Sequence, residues 1–175
     1  MHIWRGDCIL EKSIIKFLIM EIYVDADACP VKGIILREAH SRGVHVTMVV
    51  SMAHDIPSRD GMDVIRVDSA FQAVDIAIVN RVESGDIAVT SDFGLASIVL
   101  GKGAKVISPS GRIFSEHNID SLLEKRHLAA RQRRGGERVR GPAARKRGDN
   151  EVFRKNLVEL IEEGEKRSQK SEIRN

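Results

Sequence analysis

The sequence predicts an α/β domain whose central sheet is mainly parallel and covered by helices. Three observations carry that expectation. Short apolar runs alternate along the chain with amphipathic runs of helical period. Aromatic residues make up only 4% of the chain, so a core has to be assembled from Ile, Val, Leu and Ala, as in sheets buried on both faces. At 175 residues, with 42% hydrophobic and 30% charged side chains, the chain is long enough to bury one such core and carry appendages.

Taken in order, Ile22 to Val24 reads as a buried strand. Pro30 suits the opening of a helix, Ile34, Ile35 and Ala39 give it an apolar stripe, and Gly43 suits its end before a strand from Val44 to Val50. Ser51 to Gly61, with Pro57, is a loop, and Asp63 to Val67 a short strand. A helix is expected over Ala70 to Val82, a strand over Ile87 to Thr90, a helix over Leu95 to Leu100 and a strand over Ala104 to Ile107. This β-α-β order calls for right-handed crossovers. Asn118 to Arg131 has the spacing of a helix, with Ile119, Leu122, Leu123 and Leu128. The segment RQRRGGERVRGPAARKRG then breaks any period, and Glu151 to Ile161 is amphipathic through Val152, Phe153, Leu157, Leu160 and Ile161. The organisation expected is an extension over 1–19, an α/β domain over 20–128, a basic Arg/Gly-rich linker over 129–150, and a C-terminal helix and tail over 151–175.

Cys8 and Cys29 are too few for a disulfide framework or a structural zinc site, which suits a reducing compartment and a cytoplasmic protein. The apolar run Ile14 to Val24 is interrupted by Lys16 and Glu21 and is too short to span a bilayer, so no membrane association is expected. Cys29 lies before a helix, where a thiol can be activated, but a phosphatase-type Cys needs an Arg six residues on and Ile35 stands there. A buried, inert thiol is the simpler reading.

The chemistry-bearing residues are acids. Ligands of open α/β sheets gather outside the carboxyl ends of the strands. Asp25 and Asp27 follow the first strand, and Thr90, Ser91 and Asp92 follow another, so both sets face one crevice. Asp92 is also well placed as a simple helix N-cap, and Asp27 could cap the helix after the first strand. Asp75 falls within the apolar stripe Phe71, Val74, Ile78 and Val82, where an inward carboxylate needs a cation, a metal or donors. A structural Arg or Lys partner would also satisfy it. Together Asp25, Asp27, Asp75 and Asp92 make an oxygen-only set of the kind that Mg²⁺ or Mn²⁺ prefers.

Charge is unevenly spread. Lys125 to Arg147 holds ten Lys and Arg against one acid, Glu137, a net +9 that leaves −6 for the rest of a chain whose total is +3. An acidic body with one basic arm suits a polyanion, and Arg131, Arg133, Arg134 and Arg138 are its candidate phosphate contacts. A solvated linker accounts for the same composition. No zinc-finger spacing or aromatic-rich RNA-binding motif is present, so sequence-specific readout is not expected.

The stretches IYVDADACPVK, FQAVDIAIVN, GDIAVTSDFGLA with GKGAKVISPSG, and RHLAARQRRGG resemble the YaiI/YqxD family of small bacterial proteins, over Glu21 to about Ile161. That family is related to the PIN-like nuclease fold, including its NYN branch. The resemblance implies a three-layer α/β/α PIN-like domain in which Asp25 is the acid ending the first strand, Asp75 the mid-chain helical acid and Asp92 the acid after a T-x-D strand end. Asp27 belongs to the family's own motif. It also implies that Met20 is the natural start. Many PIN-like enzymes carry a further acid soon after the position of Asp92, whereas Phe93 to Gly101 has none. The function expected is Mg²⁺- or Mn²⁺-dependent hydrolysis of phosphodiesters in RNA or another nucleic acid, with Asp25, Asp27, Asp75 and Asp92 as ligands and Thr90 and Ser91 orienting acids or phosphate. Two alternatives are a non-catalytic nucleic-acid-binding module and a haloacid-dehalogenase-like phosphatase with Asp25 as nucleophile. The latter lacks the acidic pair that should close a later strand, because AKVISPSG ends without one.

Overall fold

The pleat of the first strand, β1 (Glu21–Asp25), sorts its side chains between two cores. Ile22 and Val24 point to one face of the sheet, while Tyr23 points to the other. The computed structural model describes residues 20–27, 29–53, 56–68, 70, 72–135 and 145–172. In chain order the elements after β1 are α1 (Lys32–His40), β2 (His45–Ser51), β3 (Met62–Val67), α2 (Ala73–Val79), β4 (Ile87–Val89), α3 (Phe93–Gly101), β5 (Lys105–Ile107), β6 (Ile113–Phe114), α4 (Glu116–Arg134) and α5 (Arg147–Glu172).

The sheet order is β3-β2-β1-β4-β5-β6, parallel throughout except for β6, which runs antiparallel to β5. From β1 the chain winds outward through β2 to β3, then returns to place β4 on the other side of β1. The order therefore reverses between β1 and β4, and the crevice of an open α/β sheet belongs there.

Helices cover both faces, giving three layers. On one face Ile35 and Ala39 of α1 and Phe153, Leu157, Leu160 and Ile161 of α5 pack on Ile22, Val24, Val46, Met48 and Val89. On the other, Ala77 and Ile78 of α2, Leu95, Ala96 and Val99 of α3 and Ile119 of α4 pack on Tyr23, Val49, Ala88 and Val106. Each fully buried Leu, Ile or Phe contributes roughly 1.5–3 kcal/mol relative to exposure, so α5 is a substantial part of the first core.

Several boundaries differ from those expected. The helix α2 starts at Ala73 rather than Ala70 because Gln72 takes a left-handed conformation, φ 63°, that a helix does not continue through. Phe71, the first residue of the expected stripe, lies outside the described residues. The helix α4 runs to Arg134, three residues past the expected end at Arg131, and α5 begins at Arg147. Val152, expected on the apolar face of α5, is exposed. The edge strand β6 is an addition. Among the described residues no helix is long and apolar enough to cross a membrane.

Candidate functional site

Alternation along β1 puts Asp25 on the same face as Tyr23, toward the layer formed by α2, α3 and α4. Thr90, the residue after β4, falls on that face as well and is buried. Its Oγ1 donates to Asp25 Oδ2 at 3.0 Å, across the switch point. The same oxygen accepts from the backbone N–H of Asp92 at 3.0 Å, so one hydroxyl fixes both the acid ending β1 and the turn into α3.

Asp92 is the N-cap of α3. Its Oδ1 accepts from the backbone N–H of Gly94 at 2.6 Å and of Leu95 at 3.2 Å, satisfying two donors that the helix itself cannot. Its Oδ2 accepts from Arg126 Nη1 at 3.1 Å. Arg126 comes from α4 and lies over the Phe93 ring, 5.6 Å from its centroid, and Phe93 meets Phe114 edge-on at 5.7 Å. Burial by itself would raise Asp92, but the Leu95 and Gly94 N–H groups and Arg126 outweigh it and hold the carboxyl below its ordinary range.

Asp75 sits in the first turn of α2, which packs on β1 and α3. It is partly buried and, among the described residues, accepts no hydrogen bond and meets no cation. Burial raises its pKa first, and the charges of Asp92 and Asp25 raise it further. Asp25 is raised too, by burial above all and then by Asp27 and Asp92, against the opposing effects of the Thr90 hydroxyl and Lys32. Asp25, Asp75 and Asp92 thus lie within electrostatic reach of one another on one side of the sheet. Asp27 is two residues past β1, where its Oδ1 accepts from the Ser51 N–H at 3.0 Å and ties the loop to the end of β2. Lys32 Nζ donates to the Ala26 carbonyl at 2.6 Å and braces the same loop.

The remaining candidates are more dispersed. Ser91 is exposed. Arg131, Arg133 and Arg134 are exposed on the last turns of α4, and Arg134 Nε donates back to the Ala130 carbonyl. Arg138 lies outside the described residues. Cys29 is buried, and burial pushes its thiol up, which disfavours the reactive thiolate. Arg126 is the residue that reading the sequence did not single out. The stripe Ile119, Leu122, Leu123 continues to Arg126 at helical spacing, which was the available signal.

With this geometry in place, comparison with known proteins decides the relationship. The family model described as "Uncharacterized BCR, YaiI/YqxD family" matches residues 23–163. The chain belongs to the YaiI/YqxD family. It is 46% identical over 143 residues to a UPF0178 protein of Ruminiclostridium cellulolyticum, covering 81% of this chain and 92% of that one. It is 44% identical over 143 residues to a UPF0178 protein of Halalkalibacterium halodurans, with 82% and 91% covered. A UPF0178 protein of Clostridium novyi is 43% identical over 149 residues, with 85% and 99% covered. No solved structure matches. The YaiI/YqxD match takes in Asp25, Asp75, Asp92, Arg126 and the buried part of α5, so the whole site and both covering layers lie within the family's span.

Proposed function

We propose that this protein is a cytoplasmic Mg²⁺- or Mn²⁺-dependent phosphodiesterase that acts on RNA or another nucleic acid at the Asp25/Asp75/Asp92 site. One observation carries the reading. The Thr90 hydroxyl joins Asp25, at the end of β1, to the turn of Asp92 at the topological switch point, Asp75 of α2 lies within electrostatic reach of both acids, and the basic helix α4 sends the Arg126 guanidinium onto Asp92. The resemblance to PIN-like nucleases supports the same assignment of roles.

The donor set fits a hard divalent cation in kind. It offers only oxygens, and Asp25 Oδ1 and both oxygens of Asp75 accept no hydrogen bond among the described residues. Among the described residues no group of three His, Cys, Asp or Glu is placed to hold an ion, and Asp92 is engaged by its helix and by Arg126. Asp25 and Asp75 would hold the ion, with Asp92 joining through Oδ2 and Asp27 supporting the loop. When bound, such an ion activates water and stabilises charge on a phosphoryl oxygen. The chain's own residues do the rest. Thr90 holds Asp25 in orientation, the α3 N–H groups fix Asp92, and Arg131, Arg133 and Arg134 offer backbone-phosphate contacts along an exposed helix.

The test is an assay of purified protein on single-stranded RNA and DNA with Mn²⁺ or Mg²⁺, beside Asp25→Asn, Asp75→Asn and an Arg131/Arg133/Arg134→Ala triple variant. Cleavage should require the ion and fall at least about a hundredfold in each Asn variant, while the triple variant should bind more weakly with a salt slope shallower by about 0.7 per lost contact. Binding without cleavage would identify a nucleic-acid-binding module. Hydrolysis of small phosphomonoesters with a trapped phosphoryl-Asp25 would identify a phosphatase.

A further inference from the structure

One stripe of α4 changes its chemistry half-way along. In the first half Ile119, Leu122 and Leu123 face the domain and pack in the core that holds Tyr23, Val106 and Phe114. The same phase continues as Arg126, Ala129, Ala130 and Arg133, at the i, i+3, i+4, i+7 spacing that keeps side chains on one face of a helix. Arg126 marks the edge of the domain, because its Nη1 donates to Asp92 Oδ2 at the start of α3 and its guanidinium lies over the Phe93 ring. Beyond it α4 runs eight residues further, about 12 Å at helical rise, with no buried side chain. The stripe that protein covers in the first half therefore looks out past the carboxyl end of the sheet in the second.

Charge divides at the same place. Glu116, Asp120 and Glu124 all precede Arg126, whereas Lys125 to Arg134 holds five Lys and Arg and no acid. Among the described residues Arg131, Arg133 and Arg134 make no ion pair, and Arg126 uses only Nη1 in its own. Arg134 folds back, its Nε on the Ala130 carbonyl at 3.4 Å, and so borders the stripe. The helix dipole favours cations in the last turn, which accounts for Arg131, Arg133 and Arg134 but not for Arg126.

We propose that the stripe of Arg126 and Arg133, bordered by Arg134, is the surface along which the backbone of a single-stranded polynucleotide lies as it passes the carboxyl end of the sheet. This rests on the nucleic-acid part of the reading above, needs no ion, and adds a path to it. Arg126 offers a guanidinium already fixed by Asp92 and Phe93, with Nε and Nη2 left to donate to a phosphate. Arg133 follows seven residues on, about 10.5 Å along the helix, so the two grip separate phosphates. Between them Ala129 and Ala130 keep the helix surface low, and a strand can lie against it. A single row of guanidinium groups matches one backbone, and the acid-free half of α4 attracts that backbone while the acidic body repels it.

The experiment compares variants of equal charge on and off the stripe, in the full chain. Binding of short fluorescent single-stranded RNA and DNA is followed by anisotropy in EDTA, so that neither cleavage nor an ion enters. Arg133→Gln should weaken binding about fivefold and make the salt slope shallower by about 0.7, whereas Lys125→Gln, which removes the same charge from another face of α4, should stay within about twofold with the wild-type slope. Ala130→Glu should weaken binding at least about tenfold, and Gln132→Glu, the same added charge off the stripe, no more than about twofold. Glu, Gln and Ala are all good helix formers, and far-UV circular dichroism checks that α4 is kept. Equal losses within each pair, or larger losses off the stripe, overturn this inference and leave the reading it rests on standing. A wild type that binds neither strand overturns both.

Discussion

The two ends of the sheet carry the same residue types under opposite conditions. At the amino end Glu21 accepts from the Tyr23 hydroxyl at 2.9 Å and from the Thr47 hydroxyl, while Asp86 accepts from the backbone N–H of Glu21 at 2.9 Å and of Glu83 at 2.8 Å. Burial, Glu21 and neighbouring acids push the Tyr23 phenol far above its ordinary range, which keeps it a hydrogen donor. Glu21 and Asp86 both meet donors there, although burial and the charges of Glu21 and Glu83 still hold Asp86 above its ordinary range. At the carboxyl end Asp75 meets none among the described residues, and Asp25 meets a single hydroxyl while facing two other acids. The lesson is that buried acids declare their role by their partners. Donor-rich acids hold the fold, whereas acids left facing one another store repulsion that a ligand can relieve.

The largest effect should come from the amino end. Asp86→Ala leaves the N–H groups of Glu21 and Glu83 without their acceptor, and should cost about 2–3 kcal/mol in urea unfolding whether or not Mn²⁺ is present. A cost below about 0.5 kcal/mol would erase the contrast between the ends.

Asp92 is the intermediate case, because it belongs to the site and also caps a helix. Asp92→Ala should lose about 1–2 kcal/mol, whereas Asp92→Asn keeps a capping oxygen and should stay within about 0.5 kcal/mol of wild type in the absence of ion. Equal losses in the two variants would mean that the Arg126 pair, and not the cap, is what Asp92 contributes to stability.

The smallest effect has the opposite sign. The folded-state pKa of Asp75 is raised, so the folded protein binds the proton more tightly than the unfolded chain does. Wild type should therefore lose stability as pH rises from the unfolded value through the folded one, and remain penalised at neutral pH. Asp75→Asn removes that dependence. Without divalent ion it should melt slightly higher than wild type at pH 7, by the equivalent of a few tenths of a kcal/mol once solvent screening is allowed for, and no higher at pH 3. Added Mn²⁺ should raise the wild-type melting temperature and leave Asp75→Asn nearly unmoved. A variant that is less stable than wild type at pH 7 would show that Asp75 has a structural partner.

Strands β1 to β5 and the cores of the helices were legible because each writes a period into the sequence, as in IYV, VTMVV and the Leu and Ile of α4. The strand β6 spans two residues and has no room for alternation. The ends of α4 and α5 were hidden because Lys, Arg and Glu are good helix formers, so the helices outrun their apolar stripes. Asp25 and Asp92 could be found because strand ends are positional. The roles of Thr90 as a bridge and of Arg126 as a partner depend on contacts across 65 and 34 residues, and no local pattern encodes those.

The helix α5 has one more consequence, for the order of events at the ribosome. The hydrophobic surface made by Ile22, Val24, Val46 and Met48 is closed by Phe153, Leu157, Leu160 and Ile161, which are translated more than a hundred residues after α1. At roughly 5–20 residues per second, the nascent chain carries a half-covered sheet for about 6–20 s. Such a chain is a natural client for chaperones, and a message truncated before α5 yields a product that exposes that apolar face and is marked for proteolysis.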